Sequence, residues 1–177
     1  MQPQPNHDPR ATAASAATLP RIGDRLAGQR LLVTGATGFL AKAFVEKLLR
    51  SVHSVGAIYL LIRPSADGLS PRARAERDVL DNRAFDRLRA SLGPGFRRLC
   101  EEKIRVIGGD LTEGRLGLAP EEYAELTKQI TCIVNSAATV TFDERLDWAV
   151  DLNALGPSRL LKVAQDCGNV PFLHVST

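Results

Sequence analysis

Two glycines three residues apart, Gly35 and Gly38, stand in the run Leu31-Leu32-Val33-Thr34-Gly35-Ala36-Thr37-Gly38-Phe39-Leu40-Ala41. An aliphatic stretch leads into them and a helix-forming stretch, Lys42 to Arg50, leads out. Gly35 permits a turn that a side chain would obstruct, and Gly38 lets the backbone come close to a pyrophosphate. The helix that follows offers unpaired N–H groups and the positive end of its dipole to that anion. Ala41, the third small position, still allows close packing of helix on strand. Glycines so spaced are, in isolation, most often an ordinary turn; a strand before them and a helix after them point instead to dinucleotide binding. The cradle expected here comprises Gly35, Thr37, Gly38, Phe39 and Leu40.

Which dinucleotide is bound depends on the end of the second strand, which meets the adenosine ribose. An acid there selects NAD, and an arginine accommodates a 2′-phosphate. Arg63 stands there, after Tyr59-Leu60-Leu61-Ile62, with no acid before Asp67. A guanidinium can grip phosphate bidentately, so NADPH is the expected cofactor. Arg72, Arg74 and Arg77 follow. Arg77 reads as part of a solvated helix face; Arg72 and Arg74 either share that face or strengthen the positive field, and Arg72 is included among the cofactor contacts. Asp110 and Leu111 follow the third strand, in Gly108-Gly109-Asp110-Leu111, where the acid can reach the adenine edge or simply form a turn. Asn135, Ala137 and Ala138 end the fourth, in Asn-Ser-Ala-Ala, where small side chains either let the backbone pass beside the dinucleotide or serve tight packing.

Other chemistry finds less support. Cys100, Cys132 and Cys167 are scattered, odd in number and without CxxC spacing, which reads as reduced, buried thiols in a cytoplasmic protein. No HExxH or histidine cluster supports a metal site. His7 and His53 read as solvated, His174 as a strand residue satisfied locally, and Trp148 as core. Phe142 either lines the nicotinamide or acyl entrance or packs in the core.

These residues need a scaffold, and the 177-residue chain is long enough for one domain with a substantial core. Apolar residues make up 44% and charged residues 24%, ordinary for a globular protein. The net charge of +3, with no Lys/Arg block, gives no footprint for nucleic acid. No apolar run reaches the ~18 residues of a membrane span. Met1 to Leu19 is rich in Pro, Ala, Ser and Thr, without a signal-peptide core, and is expected to be disordered. The domain division expected is a disordered segment to residue 28 and a nucleotide-binding domain from 29 to 177.

From Arg30 onward, strand and helix patterns alternate. Strands are expected at Arg30–Thr34, Ala57–Ile62, Ile104–Gly108, Thr131–Asn135 and Pro171–Ser176, and helices at Ala41–Val52, Pro120–Lys128 and Leu146–Cys167. The continuous apolar run Ala57–Ile62 suits a strand buried on both faces. Such alternation implies an α/β fold, a doubly wound parallel sheet of the Rossmann kind. About forty residues separate Arg63 from Lys103, too many for a simple crossover. Within them, Val79, Leu80, Phe85, Leu88 and Leu92 suggest one or two helices on the sheet's edge, either covering it or serving a functional task.

In order along the chain, Thr34-Gly35-Ala36-Thr37-Gly38-Phe39-Leu40, the Leu-Leu-Ile-Arg ending at Arg63, Gly109-Asp110-Leu111, Asn135-Ser136-Ala137-Ala138 and His174-Val175-Ser176-Thr177 resemble the extended short-chain dehydrogenase/reductases. Finer features narrow the resemblance to NADPH-dependent fatty acyl-CoA reductases of the bacterial alcohol-forming type. They are Gly38-Phe39-Leu40-Ala41-Lys42, Val45-Glu46-Lys47-Leu48-Leu49-Arg50, Phe85-Asp86-Arg87-Leu88-Arg89 and Thr139-Val140-Thr141-Phe142-Asp143-Glu144. The resemblance implies hydride transfer from NADPH to a fatty acyl-CoA thioester, or to an acyl carrier protein thioester, giving an aldehyde and then, in alcohol-forming members, an alcohol. It further implies a Ser or Thr hydroxyl after the fifth strand, aligned here with Thr177, and a supporting asparagine aligned with Asn153. A Tyr-x-x-x-Lys pair on the next helix would supply the proton.

That pair is missing. Tyr59 precedes Arg63 in a strand, roughly 13 Å away at ~3.3 Å per residue, and Tyr123 precedes Thr127 by the same count. The expectation is therefore the N-terminal portion of a reductase, truncated after the fifth strand and inactive alone. The alternative is a non-catalytic NADP-binding module.

Overall fold

The computed structural model describes residues 21–65, 67–141 and 143–176. The expectations for Met1–Leu19, His7, Phe142 and Thr177 fall outside these residues. Five parallel strands form one sheet in the order β3-β2-β1-β4-β5: β1 Arg30–Thr34, β2 Ala57–Ile62, β3 Ile104–Gly108, β4 Cys132–Asn135 and β5 Phe172–His174. Leu32 pairs with Tyr59 on one side and with Ile133 on the other, which fixes β1 at the centre.

Pleating sends alternate residues of β1 to opposite faces, and each face has its own core. Leu31 and Val33 pack with Val45, Leu48 and Leu49 of helix α2, which spans Phe39–Ser51. Leu32 packs with Tyr123 and Leu126 of the helix Pro120–Gln129 and with Leu160 and Val163 of the helix Gly156–Asp166. With both faces covered, a strand gains from apolar residues at every position, which accounts for the unbroken run in β2.

The long connection after β2 is a layer of the fold rather than an edge decoration. It contains α3 (Pro71–Ala75), a π-helical turn at Glu76–Leu80, a short 3-10 turn, α4 (Asp86–Leu92) and α5 (Gly95–Lys103). Its Ala75, Val79, Phe85, Leu88 and Phe96 are buried in the same core as Val45 and Leu48.

Some features differ from the sequence reading. Helix α1, Ile22–Leu26, lies inside the segment expected to be disordered; Leu26 packs against the core, and Gly28 N–H donates to Ser54 O at 2.7 Å. The domain's ordered part thus begins ahead of residue 29. The stretch expected as one helix over Leu146–Cys167 is α7 (Leu146–Val150), a π-helical turn at Asp151–Leu155 and α8 (Gly156–Asp166), with α6 being Pro120–Gln129. Pro157 brings no N–H to the ladder, and the register shifts just before it. Trp148 is not core: it is 53% exposed, because α7 is short and buries none of its residues. Among the described residues no helix is long and apolar enough to cross a membrane.

Candidate dinucleotide site

The strands' C-terminal ends converge on a cavity of about 230 Å³ lined by the glycine turn, Arg63, Arg74, Asp110 and Ser136–Ala138. The cavity lies where β1 parts β2 from β4, the topological switch point at which parallel sheets bind nucleotides. At that volume it falls below the ~300–1,000 Å³ of clefts that enclose a whole drug-sized ligand, and it suits the phosphate and ribose portion of a dinucleotide.

Gly35 has φ +66°, and a Cβ on it would lie 2.6 Å from Ser136 O and 2.7 Å from Ala137 N. Its constraint therefore comes from the end of β4 as well as from the turn. Gly38 caps α2 without a side chain to satisfy the helix's first N–H groups, which leaves them for an anion. Gly38 N–H itself donates to Gly35 O at 2.8 Å. Thr37 lines the cavity; Phe39 and Leu40 project from the first turn, with Phe39 81% exposed, and do not line it.

Asn135 is fully buried and ties three strands together. Its Oδ1 accepts from Thr34 Oγ1 on β1 and, at 3.2 Å, from Ala137 N–H in its own loop. Its Nδ2 lies 2.9 Å from His174 Nδ1 on β5, so His174 acts there as acceptor and is satisfied locally. Ser136 Oγ donates to Thr34 O at 3.0 Å. Farther along, Asn153 grips Thr139 at both ends, Oδ1 accepting from Thr139 N–H at 2.9 Å and Nδ2 donating to Thr139 O at 3.1 Å. Asn153 thus braces the loop after β4 from inside the π-helical turn.

Asp110 lines the cavity and forms a turn at once: its Oδ1 accepts from Thr112 N–H and Oγ1 at 2.9 and 2.8 Å. Leu111 is buried beneath, against Gly156. Arg63 is exposed at the cavity, and its guanidinium has no partner among the described residues. Arg72 faces elsewhere, lining a separate cavity of about 740 Å³ with Arg97 and Cys100. Arg74 takes the place at the cradle instead, because the two lie on different faces of α3. Arg77 pairs with Asp67 and Asp78 at 2.9 and 2.6 Å, as suits a surface ion pair. Hydrogen bonds from Ser65 and then Arg77 lower the Asp67 carboxyl to about 2.

Gly109 was also within reach of the sequence, in Gly-Gly-Asp: a Cβ there would lie 2.4 Å from Leu116 O. Leu152, which lines the cavity from the π-helical turn, carried no signal. Neither tyrosine serves the cradle. Tyr123 donates from its hydroxyl to Asp166 Oδ2 at 2.8 Å, and burial, with that carboxylate's help, raises its pKa. The three cysteines are free, and the described residues contain no cluster suited to a metal.

The NAD-binding family described as male sterility protein matches residues 33–177. The chain belongs to that family. Among its relatives, fatty acyl-CoA reductase 1 of Gallus gallus is 45% identical over 151 residues, 85% of this chain and 28% of that protein. The alcohol-forming fatty acyl-CoA reductase of Simmondsia chinensis is 39% identical over 154 residues, 86% of this chain and 31% of that protein. The reductase domain of a Mycobacterium tuberculosis nonribosomal peptide synthetase superposes with a TM-score of 0.64 at 31% identity, over 88% of this chain and 35% of that structure. A thiolation-reductase di-domain from an archaeal nonribosomal peptide synthetase gives 0.65 at 27% identity, over 86% and 36%. This male sterility family chain thus spans between a quarter and a third of the length of the curated relatives it matches. Membership implies a nicotinamide cofactor, and the five-stranded parallel sheet is the Rossmann-like sheet of reductase domains of the short-chain dehydrogenase/reductase type.

Proposed function

We propose that the chain supplies the NADPH-binding part of a reductase acting on fatty acyl-CoA thioesters. One observation carries the choice of NADPH: Arg63, directly after β2, lines the cradle as an exposed cation whose guanidinium has no partner among the described residues, where an NAD enzyme needs an acid. The helix N-terminus at Gly38 receives the pyrophosphate, Asp110 the adenosine, and Ala137 and Ala138 the backbone-hugging nicotinamide half. NADPH, when bound, supplies the hydride for thioester reduction. The residues of this chain bind and orient it. Asn135 and Asn153 hold the loop after β4 in place, and Thr177 is the hydroxyl proposed to hold the substrate carbonyl. No Tyr-x-x-x-Lys pair occurs in the 177 residues, so the chain by itself is proposed to bind NADPH without turning over. Three free thiols accord with a reducing, cytoplasmic setting.

Titrating the chain with NADPH and NADH, followed by nicotinamide fluorescence, tests the reading. Tighter binding of NADPH, lost in Arg63→Ala, is the expected result; equal affinities would refute the cofactor assignment. Palmitoyl-CoA-dependent NADPH oxidation by the 177-residue chain would refute its inactivity. A second reading, an acyl group carried on a carrier protein, draws on the synthetase reductase domains that share this fold at 27–31% identity. Comparing acyl-CoA with acylated carrier protein as ligands of the NADPH-bound chain separates the two.

A further inference from the structure

The orientation of one buried carboxamide decides how the ends of β4 and β5 meet. Ala137 N–H can only donate, and it points at one amide atom of Asn135 from 3.2 Å, so that atom is the oxygen Oδ1. Nδ2 must then face β5, where His174 Nδ1 lies 2.9 Å away. An amide N–H needs a lone pair opposite it, so Nδ1 carries no proton and neutral His174 holds its hydrogen on Nε2. The backbone pairs beside this contact, Val175 N–H donating to Asn135 O at 2.9 Å. The His174 ring is exposed and stacks on Phe172, with ring centres 6.2 Å apart. A proton on Nδ1 sets two donors against each other at hydrogen-bonding distance. Asn135 cannot relieve this by turning over, because Nδ2 would then face Ala137 N–H. Thr34 is able to adapt, since its hydroxyl accepts as well as donates, but Ala137 is not. A charged His174 therefore displaces either its own bond or the one that holds Ala137, which lines the cradle. The titratable groups on the neighbouring elements are occupied elsewhere. Cys132 of β4 packs on the sheet's other face, and Cys167 packs with Leu160 beneath α8. On α8 itself, Arg159 pairs with Asp151 at 2.6 Å and Lys162 with Asp166 at 2.7 Å, while residues 136–141 carry no charge.

We propose that His174 is a proton-linked positioning residue: neutral, it fixes the Asn135 carboxamide that holds Ala137 at the cradle, and on taking up a proton it releases that hold. The carboxamide is the two-state element, and both β5 and the loop after β4 bias it. Binding at the cradle and protonation of His174 then oppose each other, and by linkage the coupling is equal in both directions. Dinucleotide affinity falls as the pH drops through the range of about 5–8 in which histidines change charge, and bound dinucleotide makes His174 harder to protonate. The affinity change rests on the dinucleotide reading above; the proton-driven change at Ala137 does not.

Nuclear magnetic resonance and calorimetry test this together. In a long-range proton–nitrogen spectrum of the wild-type chain at about pH 8, His174 is expected as the Nε2–H tautomer. As the pH falls, the Ala137 amide signal is expected to move with the His174 titration. NADP⁺, steadier in acid than NADPH, is then titrated at about pH 7.5 and about pH 5.5 into wild type, His174→Asn and His174→Ala. Asparagine keeps an acceptor oxygen near the place of Nδ1 and does not titrate; alanine offers no acceptor. Wild type and His174→Asn should bind alike at the higher pH, and wild type should lose at least about fivefold more affinity on acidification. The loss that remains in His174→Asn belongs to the cofactor's own phosphate and to His7 and His53. His174→Ala should bind weakly at both pH values. A merely structural role predicts the same pH profile in wild type and His174→Asn, and that result overturns the inference. So does an Nδ1–H tautomer, or an Ala137 amide indifferent to the titration. A chain that binds no NADP⁺ at either pH refutes the dinucleotide reading instead, and the Ala137 signal then decides for or against His174. If His174→Asn unfolds, the wild-type chain decides: a His174 titration moved to lower pH by NADP⁺ supports the coupling, and an unmoved one counts against it.

Discussion

Gly35 and Asn135 do different work at the same junction, and their substitution should separate two kinds of damage. A side chain at Gly35 meets the backbone of Ser136 and Ala137 and must adopt a left-handed conformation, so Gly35→Ala is expected to cost about 2 kcal/mol or more and to abolish NADPH binding. Chemical denaturation and fluorescence titration measure the two effects. Asn135→Ala strips partners from Thr34, Ala137 and His174 and opens a buried hole, with an expected loss of about 2–3 kcal/mol. The buried thiols add a pH dependence. Burial pushes Cys100 and Cys167 up to about 11, above the ~8.5 of an unfolded cysteine. The folded protein holds those protons more tightly, so this contribution to stability is complete below about pH 8.5 and is lost as the pH climbs towards 11. Urea midpoints followed over that range should decline, and decline less steeply in Cys100→Ala.

Elements differ in how plainly the sequence announces them, and the reason is how much of their burial is local. All five strands were legible as apolar runs: β1, β2 and β3 match residue for residue, β4 begins one residue later than expected, and β5 is shorter, Phe172–His174. The glycine turn, Arg63, Asp110 and Asn135–Ala138 were legible as strand-end residues; the structure gathers all but Asn135 in one cavity, and Asn135 lies buried beneath, holding the strand ends together. For the connection from Pro71 to Lys103, the apolar residues at 79, 80, 85, 88 and 92 point to helices that either cover the sheet or serve a functional task, and Val79, Leu80, Phe85 and Leu88 do pack in the core. Phe85 is buried completely there and stacks at a tilt with Phe96, their ring centres 6.2 Å apart. Phe85→Ala should therefore cost about 3–5 kcal/mol in chemical denaturation, as a central core phenylalanine does, whereas an edge decoration would tolerate it. Arg72 and Arg74 could not be told apart: two residues on so short a helix face different cavities only once its packing is known. The two π-helical turns left no trace in hydrophobic spacing.

At the scale of the molecule, the C-terminal third leaves several large apolar side chains exposed. They include Leu146, Trp148, Val150, Leu155, Leu161, Leu173 and Val175. Tryptophans are usually well buried, yet Trp148, the chain's single tryptophan, meets solvent over half its surface. Its emission is expected to be red-shifted and readily quenched by iodide in the native chain; a blue-shifted, protected emission would show that something covers α7. The sheet's order also has a consequence for how the molecule is made. β1 has one neighbour close in sequence, β2, and another, β4, about a hundred residues downstream, with Leu31 opposite Cys132. At roughly 5–20 residues per second of synthesis, the glycine turn waits some 5–20 s for the strand end that completes it. During that interval one edge of β1 has no partner. A ribosome-bound nascent chain ending near Ile130 should accordingly recruit holdase chaperones, and one extended past the fourth strand should release them.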